Sequence, residues 1–89
     1  MHQYKLLLQV FLTERVKAYR KAVRMTQETM AEYLRISPRS YISLERGDNG
    51  FSAATLMFFP LVLQEEDVLQ LRTDFRDLVE KEDDGHEVA

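Results

Sequence analysis

Serines and arginines crowd one stretch of this chain: Ser37, Arg39, Ser40, Ser43 and Arg46 fall within ten residues. Hydroxyls interleaved with guanidinium groups offer donors and acceptors suited to phosphate oxygens and base edges, not a bond-breaking set. The catalytic inventory is otherwise empty. The chain has no cysteine, which excludes a disulfide and a thiolate zinc site together. His2 and His86 stand near opposite ends, so no metal site is expected from them, and there is no glycine-rich phosphate loop. The paired acids lie in a tail expected to be exposed and disordered, which builds no site. The expectation is a protein without enzymatic activity, cofactor or metal.

The charge of the chain points the same way once it is divided. Net charge is −3, which taken whole argues against a polyanionic partner. Residues 1–50 carry nine Lys/Arg against five Asp/Glu, whereas residues 51–89 carry three against ten. A basic half beside an acidic half is expected where one face meets phosphate and another does not; a merely solvated acidic tail is the alternative. The apolar run Leu6 to Leu12 is broken by Gln9 and is too short to span a bilayer. It has no basic lead-in or small-residue cleavage site, so neither a membrane span nor a signal peptide is expected, and the expected compartment is the cytoplasm.

The elements that would position these side chains are helices. At 89 residues, one domain with one core is the ceiling. Leu8, Leu12, Val16, Tyr19 and Val23 recur at helical spacing and predict a first helix from about Tyr4 to Val23. Thr26 can cap a second helix, Gln27 to Leu34. Ser37-Pro38 is the sharper start signal, since proline loses no hydrogen bond at the first helical position. The third helix then runs to Arg46 and stops at Gly47. Ser52 can cap a fourth, carrying Leu56, Phe59 and Leu63 on one face, with Pro60 expected to kink or end it. A fifth starts at Glu65-Glu66-Asp67 and carries Val68, Leu71, Phe75 and Leu78. The chain thus reads as one domain over residues 1–81, with the last helix over about 65–81 and a frayed acidic tail over 82–89.

Two short helices joined by a tight turn, the second sharply capped, suit a helix-turn-helix, whose second helix lies in the major groove while the first braces it. Arg39, Ser40 and Ser43 would point outward, with Tyr41 and Leu44 inward. The string Thr26-Gln27-Glu28-Thr29-Met30-Ala31, followed by Ser37 through Tyr41, Leu44, Glu45 and Gly47, resembles the XRE or Cro/repressor family of helix-turn-helix proteins over about residues 11–63. The resemblance implies an all-α, five-helix, lambda-repressor-like domain, here with an extended first helix, that binds double-stranded DNA and represses transcription. It implies phosphate contacts from Gln27 and Arg46, base-facing positions at Arg39, Ser40 and Ser43, close helix approach at Ala31, and a structural ion pair between Arg20 and Glu45. Ser37 belongs to the same DNA-binding set.

Three positions depart from the family pattern. Arg35 stands where the turn usually has glycine; arginine tolerates the left-handed conformation poorly, so a reshaped turn is expected, with Arg35 free to add a phosphate contact. Pro38 removes one polar reader. Tyr41 replaces a smaller aliphatic, so its hydroxyl needs a partner or an exit to solvent. The competing function is a protein-interaction module, antitoxin-like or anti-repressor, that keeps the fold without binding DNA. For the DNA-binding reading a homodimer is expected, through Leu6 and Val10 on the first helix and Val68, Leu71, Phe75 and Leu78 on the last. Closure of the monomer's own core is the plainer use of those residues.

Overall fold

Helix α1 spans Gln3–Ala22 and buries the apolar stripe that its spacing defines: Leu12 and Val16 are buried, and Tyr19 packs against the core. The computed structural model describes residues 3–88, with side chains from 4 to 84. His2 and the side chain of His86, set aside above as metal ligands, therefore lie outside the described residues. Four more helices follow: α2 Gln27–Leu34, α3 Pro38–Glu45, α4 Ala53–Val62 and α5 Glu65–Val88, with no strand among the described residues.

Each of the three middle helices begins at its expected cap. The hydroxyls of Thr26, Ser37 and Ser52 accept from the N–H groups of Thr29, Ser40 and Thr55, which satisfies one orphan donor per helix. The ends obey one motif as well. At Gly47 (φ 81°), Asp48 N–H donates to the Ser43 carbonyl and Gly47 N–H to that of Leu44, the paired bonding of a left-handed helix stop.

The same pairing closes α2 and α1, but with arginine in the left-handed seat. Arg35 has φ 63° with Ile36 N–H bonded to the Ala31 carbonyl, and Arg24 has φ 60° with Met25 N–H bonded to that of Arg20. The turn at Arg35 is therefore not reshaped, contrary to expectation. The helix stop retains its geometry and bears a left-handed cost of about 1–2 kcal/mol. Ending α1 at Ala22 also leaves Val23 46% exposed, off the stripe assigned to it, while Met25 packs against the core instead.

The core is formed by Val16, Met30, Ala31, Leu34, Tyr41 and Phe59. Pro60 lies inside α4, which ends two residues later at Val62. Helix α5 runs on to Val88, well past the end expected near Lys81. No proline or β-branched residue interrupts residues 80–87, and the lone Gly85 costs only about 1 kcal/mol. Two contacts clamp α5 to α1: Phe75 lies 5.3 Å from Phe11, centroid to centroid, and Arg15 pairs with Asp74. Hydrogen bonds from Arg15 and then Gln70 hold the Asp74 carboxyl below its ordinary range.

Candidate nucleic-acid interface

Helix α3 divides cleanly into two faces. Tyr41, Leu44 and Glu45 are buried. Arg39, Ser43 and Arg46 follow one another at spacings of four and three, so they share the opposite face. Arg39 and Arg46 are exposed and Ser43 is half-buried. Arg39 makes no ion pair among the described residues, and Arg46 has only a loose exposed contact with Asp48 at 3.3 Å. Both guanidinium groups are thus available to an incoming polyanion.

What holds this face still is a buried polar cluster on Glu45. Its carboxylate takes Arg20 Nε at 2.5 Å and Arg20 Nη2 at 3.2 Å, a two-pronged pairing that only a guanidinium can make. Gln27 Nε2 donates to it at 3.1 Å, and the Tyr41 hydroxyl donates as well. Arg20 Nη1 extends the cluster to the Met25 carbonyl at 3.0 Å. The cluster therefore ties α1, the start of α2 and the end of α3 to one carboxylate. Burial pushes the Glu45 carboxyl up, but hydrogen bonds from Arg20, Tyr41 and Gln27 outweigh it and hold the group below its ordinary value. The bond to Glu45 raises Arg20 in turn, and burial followed by Glu45 raises Tyr41.

The expected site residues fall into three groups. Arg39, Ser43 and Arg46 stand together on the open face. Ser37 and Ser40 are engaged in capping: Ser37 Oγ accepts from Ser40 N–H at 3.1 Å and donates to Ser40 Oγ at 2.9 Å. One of the two Gln27 amide hydrogens is committed to Glu45, which leaves the other, with the N–H groups at the start of α2, to donate to a ligand. Arg35 is turned onto α4, with its guanidinium 4.7 Å above the Phe58 ring and Nη1 donating to the Tyr33 carbonyl at 3.1 Å. A phosphate contact would require it to leave that ring.

Two features escaped the sequence reading. The Tyr41 hydroxyl ends on Glu45, and the signal was present in their spacing of four along one helix. Ile42 lines a groove of about 470 Å³ between α1 and the motif, together with Leu6, Val10, Lys17, Gln27 and Arg46. Of the expected dimer residues, Leu71 packs against the core and Phe75 against Phe11, Val68 and Leu78 are half-buried, and Leu6 and Val10 stay open. No group of residues able to hold a metal ion occurs among the described residues. No helix among them is long and apolar enough to cross a membrane.

Among models of known protein families, the one described as helix-turn-helix matches residues 16–64. No curated protein and no solved structure matches the chain.

Proposed function

The chain belongs to the XRE-type helix-turn-helix family, and from that premise we propose that it is a sequence-specific repressor acting as a homodimer in the cytoplasm. Helix α3 enters the major groove; Arg39 and Ser43 meet base edges, and Arg46 meets a phosphate. Lys17 and the first turn of α2 take the flanking backbone, since Gln27 and Lys17 share one groove with Arg46. Repression follows from occupancy, because a domain seated on the duplex excludes another protein from the same groove.

The observation that carries this reading is the open face of α3. Two arginines and a serine project from a capped helix whose other side is locked by Glu45. Arginine reads guanine through two parallel hydrogen bonds, and one such pair discriminates by about 1–3 kcal/mol. Duplex binding measured against salt tests the division of labour. Arg46→Ala is expected to flatten the log–log slope by about 0.9, the loss of one neutralised phosphate, and to weaken all duplexes alike. Arg39→Ala is expected to leave the slope nearer the parent's and to relax preference at one or two base pairs. If both variants bind as the parent does, α3 is not the reading element. The protein-interaction alternative requires instead that the chain ignore duplex even at low salt.

A further inference from the structure

Ile42 is an aliphatic side chain in the middle of α3 that the core does not take. Tyr41 and Leu44 are buried, whereas Ile42 is half-buried and stands outside the core cluster and the residues packed on it. At 3.6 residues per turn it lies about 60° from Arg39 and about 40° from Arg46 around the helix. It therefore borders the open face, between the arginine assigned to a base edge and the one assigned to a phosphate. The groove that it lines also holds Lys17, Gln27 and Arg46, so donors and cations surround it. An aliphatic side chain makes no hydrogen bond. Pressed against a polar base edge, it strips water from donors and acceptors and replaces nothing.

We propose that Ile42 determines specificity by packing on the C5 methyl group of a pyrimidine beside the guanine read by Arg39. The proposal deepens the DNA-binding reading and rests on it. Among the base edges of the major groove the apolar group is the C5 methyl of thymine, and 5-methylcytosine presents the same group; the other positions offer donors or acceptors. An isoleucine held over that floor thus favours the methyl and penalises every polar edge in its place. The spacing sets where the methyl lies. Three residues of helix advance about 4.5 Å, little more than the roughly 3.4 Å rise of one base pair, so the methyl belongs within about two base pairs of the guanine. Ser43 cannot substitute for this contact, since a hydroxyl donates and accepts alike and separates bases weakly.

Binding of the full chain to its selected duplex at about 0.1 M salt tests the contact. In one arm each thymine of a half-site is replaced in turn by deoxyuridine, which lacks only the C5 methyl; in a second, each cytosine is replaced by 5-methylcytosine. The parent is expected to change affinity about fourfold at one position, the worth of one methyl group removed from water. That position is expected within about two base pairs of the one whose preference Arg39→Ala relaxes. A loss with uracil identifies thymine as the source of the methyl, and a gain with 5-methylcytosine identifies the modified base. Ile42→Ala is expected to bind the two members of that pair alike, with the parent's salt slope. Should Ile42→Ala lose helicity, Ile42→Ser gives the same comparison. A parent indifferent to the methyl in both arms overturns the proposal and leaves the DNA reading standing. So does a methyl effect that persists in the Ile42 variants. A parent that binds no duplex even at low salt overturns the DNA reading and this contact with it.

Discussion

Glu45 is the residue on which the motif turns. Its side chain is 6% exposed and that of Arg20 14%, so removal of either leaves the other charged and poorly solvated. Such losses cost about 3–5 kcal/mol where burial is deep. Glu45→Ala is therefore expected to lower the melting temperature far more than Glu32→Ala on the exposed side of α2, as thermal melts would show; equal effects would remove the cluster from the explanation. The pH dependence has a definite sign. Because the folded Glu45 carboxyl sits below its unfolded value, its stabilisation is complete above the unfolded pKa of about 4.3 and is lost as pH falls through the lower folded value. Tyr41 acts at the other limit: its folded value is raised, so its contribution holds below about pH 10 and is lost as pH rises beyond. Acid and alkaline unfolding of Glu45→Gln and Tyr41→Phe should each flatten at its own end. The Arg20–Glu45 pair was legible through the family resemblance. The role of Gln27 in it was not, since it depends on how α2 and α3 cross, whereas that of Tyr41 was signalled by its spacing of four from Glu45 on one helix and went unread.

At the scale of helices, the starts were legible and so were the ends of α2 and α3, while the end of α5 was not. A start is written in one capping side chain and its neighbour, so Thr26, Ser37-Pro38 and Ser52 could be read directly. An end in this protein is a backbone motif that tolerates arginine as well as glycine; Arg35 was marked only by the family's glycine at its position, and Arg24 gave no sequence sign of a left-handed conformation. Ser37→Ala, which removes the cap of the reading helix, should cost about 0.5–2 kcal/mol by denaturant titration and weaken DNA binding in step. Arg24→Gly should stabilise by about 1 kcal/mol by relieving the left-handed strain. Arg35→Gly should gain less, because it forfeits the contact with Phe58, worth about 0.5–1 kcal/mol at an exposed site. A larger gain at Arg35 than at Arg24 would contradict the assignment of that contact. The length of α5 was missed because an acidic run reads as a solvated tail, whereas nothing in it stops a helix already under way.

At the scale of the molecule, the division of charge along the sequence becomes a division of labour. The basic first half supplies α1, α2 and α3, and with them every residue placed on the candidate interface; the acidic α5 is clamped to α1 through Phe75 and Asp74. The packing of Leu71 and Phe75 within the domain and the exposure of Met57 and Leu61 could not be read from periodicity, which marks an apolar face but not what covers it. The most direct test is a selection of bound duplexes from a random pool at about 0.1 M salt. The expected result is an enriched, two-fold symmetric sequence whose half-site centres lie one helical turn apart, about 34–36 Å, and whose preference narrows to fewer positions with Arg39→Ala. No enrichment, together with no retention of duplex at low salt, would contradict a DNA-reading role for α3.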